Sequence, residues 1–96
     1  MNKYEMMFIV KAASDEKVVA KTADNLKKII KDMKGKILEE KDLGSKELAY
    51  SIKKENVGYY FVVNFEATAE IINELDRKAR IDESVLRHLI IRLDEE

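Results

Sequence analysis

The sequence predicts an α+β fold in the order β-α-β-β-α-β, with a four-stranded antiparallel sheet carrying two helices on one face. Three observations lead there. Residues near both ends and in the middle alternate apolar and polar, which is the period of a strand. Two intervening segments repeat their apolar residues at helical spacing. The whole chain is 96 residues with no proline, no linker and no internal repeat, so residues 1–96 form a single domain around one core.

The elements follow in order. Lys3 to Lys11 alternates, with Tyr4, Met6, Phe8 and Val10 on one side and Glu5, Met7 and Ile9 on the other. Ser14 then offers an N-cap, and Asp15 and Glu16 suit a first helical turn. Val18, Val19, Thr22, Ala23, Leu26, Ile29, Ile30 and Met33 supply that helix's apolar stripe. Gly35 is the expected C′ residue, with Lys31 and Lys34 complementing the dipole of the last turn. Residues 36–54 read as extended, interrupted at Gly44-Ser45, either as one long bent strand or as two short ones.

Lys54-Glu55-Asn56 supplies turn residues, and Val57 to Glu66, with its run Gly58-Tyr-Tyr-Phe-Val-Val-Asn-Phe65, is the strongest strand signal in the chain. Thr68 caps a second helix with Ile71, Ile72, Leu75 and Ala79 as its stripe. Ser84 to Leu93 is the last strand. Its phase stays open, because Val85, Leu89 and Ile91 compete with Leu86, His88 and Ile90 for the core. Right-handed crossovers put both helices on the same side, which makes a ferredoxin-like sandwich with one bare sheet face.

That bare face is the first functional signal. With Met6, Phe8, Val10, Phe61, Val63 and Phe65 turned to the helices, Met7, Ile9, Tyr60 and Val62 are left on the open side of the two central strands. So apolar an open face points to a protein partner, with Leu48 nearby, although Glu5, Asn64 and Glu66 dilute it.

Composition narrows the class of function. No cysteine removes disulfides and thiol chemistry, and a single histidine argues against a histidine-built metal site. No apolar run approaches the ~20 residues of a membrane helix, and no secretory h-region opens the chain, so the expectation is a cytoplasmic protein. Lys and Arg number 18 against 19 Asp and Glu, a net charge of −1, so any nucleic-acid contact must come from local clusters.

Lys27, Lys28, Lys31, Lys34 and Lys36 read as the solvent face of an amphipathic helix. Lys46, Lys53 and Lys54 lie on extended chain around Tyr50, a pattern suited to phosphate contact with stacking. Arg80, after Arg77 and Lys78 on the second helix, and Arg87 and Arg92 on the last strand add planar forks that fit phosphates. The segment Lys11-Ala12-Ala13-Ser14 holds no phosphate-cradling loop, and no catalytic triad order or paired carboxylates appear, so no enzyme or cofactor is expected. Glu39, Glu40 and Asp42 match no metal loop, and His88 reads as a strand residue with a satisfied ring.

Tyr4-Glu5 with Phe8-Ile9-Val10, Gly44 followed by Lys46 and Leu48-Ala49-Tyr50-Ser51-Ile52-Lys53-Lys54, Gly58-Tyr59-Tyr60, Asn64-Phe65, and Arg80-Ile81 with Val85-Leu86-Arg87 together resemble the bacterial ribosomal protein S6 family over the whole chain. Leu43 stands where that family commonly has tryptophan, and Ser51 where it commonly has proline. The resemblance implies a structural protein of the small ribosomal subunit that binds central-domain ribosomal RNA as a heterodimer with ribosomal protein S18. Two other classes are weighed against it: a small-molecule-binding regulatory module of the same fold, and a free RNA-recognition module. The latter needs more open-face aromatics than Tyr60.

Overall fold

The computed structural model describes residues 2–11, 16–52 and 55–93, without the side chains of residues 16, 48–52, 55 and 56. The expected Ser14 cap and the expected cations Lys53 and Lys54 lie outside the described residues, as do the side chains of Leu48 and Tyr50. The elements are β1 (Asn2–Lys11), α1 (Glu16–Asp32), β2 (Lys36–Ile52), β3 (Glu55–Ala67), α2 (Ala69–Ile81) and β4 (Val85–Arg92). The strands form one four-stranded sheet in the order β2-β3-β1-β4, every neighbouring pair antiparallel.

Alternation along the two central strands sorts their side chains. Tyr4, Met6, Phe8 and Val10 of β1 sit opposite Phe65, Val63, Phe61 and Tyr59 of β3, and all eight pack into or against the core beneath the helices. Phe8 and Phe61 stack with ring centroids 5.2 Å apart, and Tyr4 and Phe65 stack at 6.0 Å. From above, α1 contributes Val19, Ala23, Leu26 and Ile30, and α2 contributes Ile71, Leu75 and Ala79. The stripe expected on α1 is wider than the one buried, since Val18 and Met33 are exposed. Thr68 does cap α2, its hydroxyl accepting from the Ile71 N–H.

Residues 36–52 form one strand that bends. Its register against β3 shifts between Ile37 and Glu39 and again between Asp42 and Gly44, where Gly44 takes φ +79° and the Asp42 carboxylate accepts from its N–H. Glu55 and Asn56, expected in the turn, belong to β3 instead, with Glu55 opposite Ile52.

The end of α1 differs from expectation by one position. The left-handed residue is Lys34 at φ +70°, not Gly35. The Gly35 N–H bonds the Ile30 carbonyl at 2.7 Å and the Lys34 N–H bonds the Lys31 carbonyl at 3.1 Å, the pair of bonds of a Schellman end. Glycine is needed at 35 for space: a Cβ there would lie 2.8 Å from Ile30 Cγ2 and 2.9 Å from the Glu66 carbonyl oxygen. Lys34→Gly is therefore expected to raise stability by about 1 kcal/mol by relieving the left-handed strain. Gly35→Ala should lower it, and urea midpoints of the two variants move in opposite directions if this account holds.

Candidate protein and RNA interface

The phase of β4, undecided in the sequence, is resolved by a bulge. Ile9 pairs with Arg87 but Val10 pairs with Val85, so Leu86 is an extra residue on β4. Val85, His88 and Ile90 consequently face the helices, whereas Leu86, Arg87, Leu89 and Ile91 face the open side. The helix-facing set takes Val85 from one of the competing sets and His88 and Ile90 from the other, because the bulge switches phase in mid-strand.

The open face is thereby wider than Met7, Ile9, Tyr60 and Val62. Strand pairing sets out its rows across β2, β3, β1 and β4: Glu39, Asn64, Glu5 and Ile91; then Lys41, Val62, Met7 and Leu89; then Gly44, Tyr60, Ile9 and Arg87; then Lys46, Gly58 and Lys11. Met7 is 36% exposed, Leu89 50% and Ile91 45%, so three large side chains stand in water here. Ile9, expected to be exposed, is only 6% accessible. Its Cγ2 fills the space a Gly58 side chain would take, and Leu86 lies alongside. Ile9 thus supports the floor of the face. A shallow concavity of about 310 Å³ is lined by Met7, Ile9, Tyr60, Arg87, His88 and Leu89. Leu89 and Ile91 were missed as surface anchors because periodicity cannot reveal an extra residue between Val85 and Arg87.

The expected phosphate-binding cations divide. Lys46 and Arg87 share the open face, and the Lys46 ammonium lies 5.7 Å from the Tyr60 ring centroid. Lys11, not singled out in the sequence, joins them in the row of Lys46. Arg92 pairs with Tyr4 and so faces the helix side. Arg80 is on α2, bound to Asp76 in an intrahelical ion pair. The structure therefore gathers Lys46 and Arg87 and separates them from Arg80 and Arg92.

Several other polar groups have structural partners. Lys27 donates to Glu40 at 2.8 Å, tying α1 to β2, and this hydrogen bond holds its ammonium above the ordinary lysine value. Glu39, on the opposite side of β2, approaches Lys41 at 4.0 Å and Asn64 at 3.5 Å. The acidic trio Glu39, Glu40 and Asp42 is thus split between the two faces. His88 Nε2 meets Asp76 Oδ1 at 2.8 Å, joining β4 to α2.

The match with known proteins fits this geometry. The family model described as ribosomal protein S6 matches residues 3–92. The chain belongs to the ribosomal protein S6 family. Among curated S6 relatives, the small ribosomal subunit protein bS6 of Alkaliphilus metalliredigens is 42% identical over 95 residues, covering 99% of this chain and 100% of its own length. That of Clostridium acetobutylicum is 43% identical, covering 98% and 99% respectively. The crystal structure of 30S ribosomal protein S6 from Thermotoga maritima superposes with a TM-score of 0.90 at 32% identity, covering 96% of this chain and 87% of that one. As an S6 family member the chain is a structural protein of the small ribosomal subunit, which is not an enzyme family.

In this S6 family chain the Asp76 carboxyl sits below its ordinary value of 3.8, first because His88 hydrogen-bonds it and further because Arg80 is close. A lowered folded-state value contributes stability above the unfolded value, and that contribution is lost as pH falls through the lowered value. Asp76→Asn should therefore be less stable than the parent near neutrality, with the gap narrowing below about pH 4. Melting temperatures of both proteins from pH 7 down to pH 3 test this, and a gap that stays constant would contradict it.

Proposed function

We propose that this protein binds the central domain of small-subunit ribosomal RNA as a heterodimer with ribosomal protein S18, as a non-catalytic, cytoplasmic component of the ribosome. The observation that carries this reading is the open sheet face, apolar across three strands and bordered by Lys46, Lys11 and Arg87. Membership in the S6 family supports it.

The roles divide by chemistry. Met7, Tyr60, Val62 and Leu89, resting on Ile9, give the protein partner an apolar strip, with Leu48 added from the sequence reading. Lys46 and Arg87 serve RNA phosphates, joined in the sequence reading by Tyr50, Lys53 and Lys54, while Arg80 and Arg92 reach RNA from the helix side. With a net charge of −1 the protein has too few local cations to hold RNA alone at physiological salt. A partner covering the apolar face and adding positive charge strengthens RNA binding, and linkage requires RNA to strengthen the protein pair by the same factor.

Truncation of a central aromatic, Tyr60→Ala, should cost about 2 kcal/mol of S18 affinity by titration calorimetry. If Tyr60→Ala and Val62→Ala together leave that affinity intact, the strip is not the docking surface. For RNA, each lost phosphate contact reduces the salt slope by about one, so Lys46→Ala with Arg87→Ala should reduce it by about two. The readout is filter binding of central-domain RNA with S18 present, and an unchanged slope would remove both residues from the interface. Omitting S18 should weaken RNA binding steeply at near-physiological salt, whereas equal affinity in both arms would favour a stand-alone RNA-binding module. A melting temperature that responds to free amino acids would favour the regulatory module.

A further inference from the structure

The open face is polar along its length. At one end lie Lys46, Lys11 and Arg87. The middle is the apolar strip. Toward the other end one row sets Glu39 of β2, Asn64 of β3 and Glu5 of β1 side by side, with the exposed Ile91 of β4 beside Glu5. The hydrogen-bonding inventory of that row is unbalanced. Two carboxylates accept and cannot donate, and the Asn64 amide supplies the row's side-chain N–H groups, one of them to Glu39 at 3.5 Å. The Asn64 carbonyl oxygen is out of reach of water and has no donor. Lys41 lies in the next row, 4.0 Å from Glu39 and well exposed; Lys3, Lys36 and Glu66 share the row beyond.

We propose that the protein partner's segment covering the apolar strip carries an arginine or lysine side chain that seats in the Glu39–Asn64–Glu5 row. The inference rests on the reading that the open face docks a protein partner, and adds that partner's chemistry and its direction across the sheet. The argument is one of complementarity. A carboxylate pair next to an apolar strip loses solvation when that strip is covered, and an incoming cation offsets the loss. A guanidinium suits the row best: its planar fork presents five N–H donors, enough for both carboxylates, and a turn of the Asn64 amide about its last bond brings the orphaned oxygen to it. An acidic or phosphate group placed between Glu39 and Glu5 is repelled, whereas the rows of Lys46, Lys11 and Arg87 hold no carboxylate and accept one. The partner's basic side chain and the RNA therefore occupy opposite ends of one face.

The test measures the affinity of the full chain for ribosomal protein S18, without RNA, at two salt concentrations. The variants are Glu5→Gln with Glu39→Gln, then Glu5→Lys with Glu39→Lys, and Glu70→Gln as a control that changes charge on α2. Expected are a roughly tenfold loss with weakened salt dependence for the glutamine pair, a larger loss for the lysine pair, and no change for the control. If the glutamine and lysine pairs bind like the parent while Tyr60→Ala binds weakly, the strip docks the partner but no cation enters the row, and the proposal fails alone. If the parent does not bind S18, or Tyr60→Ala binds as the parent does, the reading beneath it fails. Self-association of the parent in sedimentation, lost in the glutamine pair and unaccompanied by S18 binding, would make a second copy the occupant and overturn the proposal as well.

Discussion

The handedness of two connections governs this molecule. A strand leading through a helix back to a parallel strand of its sheet turns right-handed as a rule, and this fold has two such connections, from β1 to β2 and from β3 to β4. Both helices must then lie on one side of the sheet. The aromatic and aliphatic rows of β1 and β3 have a covered side, where Phe8, Phe65, Met6 and Val10 lose nearly all contact with water, and a side the chain cannot cover by itself. The topology thus leaves one face of the sheet without cover from the helices.

Much of this was legible in the residues because the signals were local and periodic. The alternation in β1 and β3 fixed their register to the core, and the Thr68 cap and the Ile71, Leu75 and Ala79 stripe placed α2. What stayed illegible involves single residues that break a period. Leu86 is one extra residue in a strand of eight, yet it reassigns Leu89 and Ile91 from candidate core to surface. No count of apolar positions reveals it, since the bulge is set by how β4 must meet Val10 and Ile9 at once. At the end of α1, composition pointed to Gly35 for left-handed backbone, but crowding against Ile30 and Glu66 claims that glycine and passes the strained torsion to Lys34.

The charges show the same division. Lys27–Glu40 and Asp76–His88 tie the helical layer to the sheet, so those groups belong to the architecture. Glu39 is adjacent in sequence to Glu40 and sits on the other side of the sheet, among Asn64 and Glu5. Sequence neighbours in a strand are strangers in space, and the acidic stretch that reads as one solvated edge is two half-stretches with different surroundings.

The bends of β2 have a further consequence. This is an edge strand of 17 residues, long enough to template the addition of a foreign strand. Register shifts between Ile37 and Glu39, between Asp42 and Gly44 and between Glu47 and Ile52, a glycine in left-handed backbone and the charged sequence Glu39-Glu40-Lys41-Asp42 break up the straight ladder of free backbone groups. The open face presents apolar side chains, and this border is guarded. Along this border a copy not yet assembled offers an extended chain no straight backbone ladder to pair with, and that limits runaway stacking through β2.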